Sequence, residues 1–262
     1  MIVLGWNAQG HRMIAQIAYD RLSDHAREVL TRYNQALDKV YKPMNFVNAA
    51  TWLDQLSYQD IKWYSVMHYI DLPFSQDGTA LPNTEEINAL WAIENAIHLI
   101  QNKYPTDFDK GIALRVLIHV VGDIHQPMHA ITRVSKDLPM GDRGGNLVPL
   151  YKNAIANNLH AYWDRGGGLL KESHRNSKKK MRTIQSAIIC ESDKMDLVPA
   201  HWAEASHQIA ISIAYHLLPE DHIPTSRYQQ LTQKAAEQQI ILAGCRLSVL
   251  LEQIVSNLST YS

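Results

Sequence analysis

Apolar positions recur at helical spacing along almost the whole chain. Leu90, Ile93, Ile97 and Ile100 follow one another in steps of 3, 4 and 3, which puts them on one helical face. Thr84 stands ahead of them as a candidate N-cap, with Glu85 and Glu86 in the expected first turn, where acceptors and negative charge suit unpaired N–H groups. Ile240, Ala243, Leu247, Leu250 and Ile254 step by 3, 4, 3 and 4, and so predict a long closing helix. Residues 9–34 and 202–218 read the same way. No alternating strand pattern of useful length, internal repeat or low-complexity linker appears. The pattern therefore predicts one all-α, multi-helix domain. Two irregular segments interrupt it. TRVSKDLPMGDRGGN, residues 132–146, is rich in turn formers. RGGGLLKESHRNSKKKMR, residues 165–182, sets Arg165, Lys171, Arg175, Lys178, Lys179, Lys180 and Arg182 against the single acid Glu172. It reads as a solvated loop or as a contact for a polyanion backbone.

Composition changes the picture in one respect. The chain of 262 residues is 46% hydrophobic and has a formal net charge of −1, so bulk charge does not suggest a nucleic-acid or membrane surface. The unusual number is 13 histidines against 2 cysteines, and histidine is the commonest neutral metal ligand. Cys190 and Cys245 lack zinc-knuckle spacing; one disulfide and two buried thiols are both open. No stretch reaches the roughly 18 apolar residues of a membrane span. The start, Met1-Ile2-Val3-Leu4-Gly5-Trp6, reads as the tail of a secretory apolar region without its basic part, with Val3 and Gly5 fitting the small-residue rule for a cut before Trp6. Residues 1–5 are thus expected to be a signal-peptide remnant and 6–262 the domain, exported to the periplasm or secreted.

The candidate chemistry sits in HVVGDIHQPMH, residues 119–129. It ends an apolar run in which ionisable groups are costly unless compensated. His119 and Asp123 are four apart and share a helical face. His125 lies about 240° around from His119, at roughly 100° per residue, and points elsewhere. Pro127 breaks the helix and disfavours helix at Gln126, so His129 can return towards the site. NLHAYWD repeats the four-residue pairing with His160 and Asp164. TWLDQ offers Asp54, VMHYIDLP offers His68 and Asp71, and WNAQGHR offers Trp6 and His11. Each is ambiguous alone. Together, five imidazoles and three carboxylates without a thiol suit zinc, and they are too many for one tetrahedral ion. No G-x-S-x-G elbow, phosphate-binding Gly-Lys-Ser/Thr loop or H-E-x-x-H is present. Di-iron bundles use two Glu-x-x-His motifs, and only Glu204 and His207 fit.

In order and spacing, WNAQGH, TWLD, HYID, HVVGDIHQPMH, GGN and LHAYWD resemble the trinuclear-zinc single-strand-specific nucleases, or 3′-nucleotidases, of the phospholipase C/nuclease superfold. The resemblance runs from Trp6 to about Leu251. It implies three zinc ions. The first takes Asp54, His68, His119 and Asp123; the second His129, His160 and Asp164; the third His11, Asp123 and the free amino group and carbonyl of Trp6. It implies attack on phosphorus by a hydroxide held between the first and third ions. Products are 5′-phosphate nucleotides from single-stranded DNA and RNA, or phosphate from 3′-nucleotides. It places Asp71 near the nucleophile and base pocket, Tyr69 under a base and Asn146 of GGN against substrate. No obligate protein partner is implied. Three departures stand out. Ser57 replaces an arginine near the scissile phosphate, Arg165 follows the last ligand where small or amidic residues are common, and Phe74 falls near a second carboxylate position. Arg165 is expected to supply the charge missing at Ser57. The rival readings are a zinc phospholipase C, which usually ends its second site with glutamate, and a non-catalytic, metal-stabilised secreted protein.

Overall fold

The computed structural model describes residues 5–57, 64–170, 190 and 195–259. Helices α1 (Ala8–Tyr19) and α2 (Asp24–Gln35) open the chain, followed by the short α3 (Phe46–Ala49) and α4 (Trp52–Ser57). Then come α5 (Ala89–Gln101), α6 (Asp107–Ile124), α7 (Leu159–Asp164), α8 (Pro199–Ile209) and the closing α9 (Ser226–Ser259). The all-α expectation holds. Among the described residues the only strands are β1 (Pro73–Ser75) and β2 (Thr132–Val134), paired in parallel with Phe74 opposite Arg133.

The architecture is built around α6. Thr106 and Asp109 close a capping box at its start, each side chain accepting from the other's backbone N–H, which satisfies two otherwise unpaired donors. Beyond that turn it is buried on almost every side: Leu114, Leu117, Ile118 and Val121 have no solvent face, and neither do the polar Arg115, His119 and Asp123. It packs against α5 and α2 and also meets α1 and α4, while α1 lies along α9. A second apolar cluster holds Phe74, Met128, Leu159, Tyr162, Trp163 and Tyr215. The chain passes between the two clusters just after α6, Ile124 belonging to the first and Met128 to the second. The histidine run straddles that seam.

Gly111 sets how closely α6 approaches α2. A Cβ there would overlap the Tyr33 carbonyl and Leu37 Cδ1. Helix propensity alone favours Gly111→Ala by about 1 kcal/mol, but the clash is with backbone and can only be relieved by moving α2. The variant is expected to be less stable by roughly 1–3 kcal/mol in denaturant unfolding. A more stable variant would show that the α2–α6 contact yields freely.

Several sequence expectations need correction. The helical stretch 9–34 is two helices, because Ser23 accepts from Ala26 N at 3.2 Å and starts a new one. The helix expected to be capped by Thr84 begins later. Asn88 is its N-cap, accepting from Leu90 and Trp91 N at 2.9 and 3.2 Å, and Glu85 and Glu86 lie outside it. The stretch 202–218 is α-helical only to Ile209, after which Ala210–Tyr215 widens into a π-helix. Part of the irregular stretch 132–146 is strand β2. Cys190 and Cys245 form a disulfide, with Cα atoms 5.4 Å apart. Among the described residues, Ser226–Leu258 alone is long and apolar enough to cross a membrane by length and composition, yet 67% of its most apolar window is buried inside the protein.

Candidate metal centre and substrate cleft

Six elements deliver these predicted ligands to one place. His11 comes from α1, Asp54 from α4, His68 from the 3₁₀ turn Ser65–His68, and His119 and Asp123 from α6. His129 comes from the 3₁₀ turn Pro127–His129, and His160 and Asp164 from α7. Gln126 leaves the helical region, with φ −85° and ψ 115°, so the chain turns as Pro127 requires.

Three groups form, each able to hold an ion: His11, His119 and Asp123; Asp54, His68 and His119; and His129, His160 and Asp164. Within each group the ligand atoms lie within 4.8 Å of one another. Asp123 faces two of the groups at once. Its Oδ2 is 2.9 Å from His68 Nδ1 and 3.1 Å from His119 Nε2, while Oδ1 is 3.2 Å from His11 Nε2. Asp54 Oδ1 lies 3.5 Å from His119 Nε2 and 3.9 Å from His68 Nδ1. In the third group His160 Nε2 is 3.2 Å from His129 Nε2 and 3.6 Å from Asp164 Oδ1.

The imidazoles are oriented by backbone carbonyls. Nδ1–H of His119 donates to Ala50 O at 2.7 Å, that of His129 to His68 O at 2.6 Å and that of His160 to Gly144 O at 2.8 Å. That assignment leaves the Nε2 lone pairs aimed inward. His68 is the exception, presenting Nδ1 to the centre. Lone pairs facing one another at these distances repel unless a cation lies among them. The orphaned atoms say the same: Asp123 Oδ1, Asp54 Oδ1 and both His11 nitrogens are buried without a hydrogen-bond partner among the described residues. Buried polar atoms are almost always satisfied, so this donor set fits metal ions.

The electrostatics agree. Burial alone would lower His119, but the Asp123 and Asp54 carboxylates outweigh it and hold it at about 9. Burial opposes the Asp123 charge, yet His119 and His11 keep its carboxyl well below the usual range. Burial and the neighbouring His119 lower His11. Asp164 is pushed well up by burial, which the hydrogen bond from Gln126 Nε2 at 2.7 Å only partly offsets. His125 stands apart, as the helical geometry predicts: its Nδ1–H donates to Val121 O, and Arg246 donates to its Nε2 at 2.9 Å. Burial and that guanidinium push it down to about 3.

Two glycines make room. A Cβ on Gly122 would come 2.9 Å from His11 Nδ1. The absence of one lets the His11 ring stack on His119, with centroids 4.0 Å apart. Gly144, at φ +59°, lies so close to the Met128 carbonyl and His160 that no side chain fits there. Its position explains the Gly-Gly-Asn triplet, which shapes the loop that orients His160.

Beside the third group a cleft of about 330 Å³ is lined by Tyr69, Asp71, Met128, Arg143, Gly144, Asn146 and His160. The structure thus brings Tyr69, Asp71 and Asn146 together as expected. Burial, with the Asp142 carboxylate, raises Asp71 to about 6. Arg165 is not among the lining residues. It is exposed, and its Nη1 donates to Ala161 O at 3.0 Å. Phe74 is buried against Tyr215. The Ser57 side chain, Met1–Leu4 and the basic stretch from Lys171 to Arg182 lie outside the described residues.

Five contributors escaped the sequence reading. Gln126 steers Asp164, and the carbonyls of Ala50 and Gly144 steer histidines. Asp142 pins the glycine loop, accepting from Arg133 N, Gly145 N and the Tyr215 hydroxyl. Arg143 lines the cleft. Gln126, inside the histidine run, and Gly144, inside GGN, carried a local signal.

A family model described as S1/P1 nuclease matches residues 6–256. Endonuclease 1 of Arabidopsis thaliana is 25% identical, over 97% of this chain and 88% of that protein. Nuclease S1 of Aspergillus oryzae is 26% identical over 62% of this chain, which spans 54% of that relative's length. Nuclease P1 of Penicillium citrinum is 23% identical over 69% of this chain and 67% of that protein. With the match running from Trp6 through the three ligand groups and into the closing helix, the chain belongs to the S1/P1 nuclease family and acts on nucleic acid as a hydrolase.

Proposed function

We propose that this nuclease is a zinc enzyme that cleaves single-stranded DNA and RNA to 5′-phosphate nucleotides and removes phosphate from 3′-nucleotides. The observation that carries the reading is Asp123, whose two oxygens face separate imidazole groups 2.9–3.2 Å away. We assign Asp54, His68, His119 and Asp123 to one ion, His129, His160 and Asp164 to a second, and His11, Asp123 and Trp6 to a third. Imidazole and carboxylate donors without thiolate suit zinc. Bound there, the ions supply Lewis acidity and a deprotonated water at neutral pH. The protein's own groups do the rest. Tyr69 offers its ring to an unpaired base, which explains a single-strand preference, since stacking needs a free π-face and tolerates every base. Asp71, near the nucleophile and the base pocket, and Asn146 contact substrate from the same cleft. Arg165 supplies positive charge towards the cleaved phosphate.

The Cys190–Cys245 disulfide suits an oxidising compartment, and a secreted or periplasmic location is part of the proposal. Dialysis against a chelator is expected to abolish cleavage of single-stranded DNA, RNA and 3′-AMP, and zinc to restore all three, with phosphatidylcholine left intact throughout. Cleavage that survives exhaustive chelation overturns the metal reading. Loss of only the nucleic-acid activities, with 3′-AMP never hydrolysed, removes the nucleotidase part.

A further inference from the structure

We propose that Arg143 grips the phosphate adjacent to the cleaved one, and so makes the enzyme favour strands over its smallest substrates. Arg143 lines the same cleft as Tyr69, Asp71 and Asn146. Its side chain is exposed and its guanidinium has no hydrogen bond or ion pair among the described residues. It is close enough to Tyr69 for its charge to favour the ionised phenol, against burial and Asp71. A base stacked on Tyr69 has a phosphate on each side. One goes to the ligand groups through the cleft wall at His160; the other leaves at the mouth, where a free, planar fork of N–H donors matches two phosphate oxygens.

The backbone shows that the side chain is not there for the fold. Arg143 has φ +57°, between Gly141 at +85° and Gly144 and Gly145 at +59° and +78°. Glycine adopts this region without strain, and arginine does not. The loop is held by other atoms. The Arg143 carbonyl accepts from Asn146 N and Nδ2, and the buried Asp142 anchors the loop to Arg133, Gly145 and Tyr215. A strained arginine with a free head group, on a rigid loop facing a cleft, fits a binding role. It is separate from Arg165, which is not among the cleft-lining residues.

The inference rests on the proposed stacking at Tyr69, and the test separates the two. The zinc-loaded protein is titrated with phosphorothioate analogues of a thymidine dinucleoside monophosphate, which has only the scissile linkage, and of a thymidine pentanucleotide. Arg143→Gln is expected to weaken pentanucleotide binding about tenfold and leave the dinucleoside within about twofold. The slope of log affinity against log salt should fall by about 0.7, one single-strand phosphate contact. Arg143→Lys should recover part of the loss. Arg143→Gly should bind like Arg143→Gln yet melt at or above the wild-type temperature, which a structural role would not allow. Equal weakening of both ligands, or no change in either, overturns the proposal. Tyr69→Ala tests the stacking alone: it should weaken both ligands, and if it weakens neither, the stacking fails while the Arg143 comparison still decides the phosphate contact.

Discussion

Asp123→Asn is expected to lower the single-turnover rate on single-stranded DNA by at least about 100-fold and to reduce the metal bound per chain. Groups that merely orient a metal ligand typically cost 10–100-fold in affinity or activity when removed, and Asp123 is proposed to be a direct donor to two ions. The carboxamide keeps one carbonyl oxygen but loses the negative charge and presents an NH₂ to one imidazole set. That NH₂ cannot coordinate. Because Asp123 is fully buried, water cannot take over the lost contact cheaply. Its neutral replacement also removes the largest influence raising His119, so His119 should titrate lower in the metal-free variant. Elemental analysis of the purified variant, beside its rate, is the measurement. Near-normal metal content and rate would remove Asp123 from the shared position and leave three independent ligand groups.

The second large effect is expected at the start of the domain. Protein beginning at Trp6 should bind one more metal ion per chain than protein that still carries Gly5, and cleave at least roughly tenfold faster. Gly5 is buried, and a Cβ on it would overlap Asp123 Oδ1 and lie 3.0 Å from His11 Nε2. The Gly5–Trp6 peptide therefore occupies the space beside the His11–Asp123 pair. A peptide N–H offers no lone pair to a metal, whereas a free α-amine does. Releasing Gly5 would expose that amine next to His11 and clear the space around it. Trp6 itself is held in place by burial, and Asn7 N donates to Asp164 O at 3.0 Å, so the new terminus would stay at the site. The comparison needs two forms, one made by specific cleavage before Trp6 and one left uncut, each assayed for metal content and rate. Identical metal content and rate would show that the Trp6 amine is not a ligand.

Local spacing carried most of the site. His119 and Asp123, and again His160 and Asp164, are pairs whose geometry follows from 3.6 residues per turn. Pro127 made the turn towards His129 predictable from covalent structure alone. The same arithmetic set His125 aside, and it is occupied with Val121 and Arg246. Helix boundaries were less legible. Thr84 and Asn88 are both plausible caps in sequence, and the choice depends on which side chain reaches free N–H groups; Asn88 does. The π-helical turn at Ala210–Tyr215 had no signal, because it is a single short turn of 6 residues, too brief for a changed period to show in the apolar spacing.

What the sequence determined by itself, then, is the class of fold, the apolar faces and the inventory of candidate ligands, since periodicity and residue chemistry are properties of short windows. Only the tertiary structure decided the rest. Histidines on five separate elements converge because α6 is buried from all sides and because Gly122 lets α1 come close enough for two imidazoles to stack. Asp123 turns one oxygen to each of two groups because those groups arrive from residues 112 and 55 positions away in sequence. The orientation of His119 and His160 comes from carbonyls of Ala50 and Gly144, which no side-chain motif encodes. Arg143 faces the cleft because Asp142 is clamped from three sides. Contacts of that separation depend on how whole elements pack, and packing is set by volume and shape over the entire core rather than by any local run of residues.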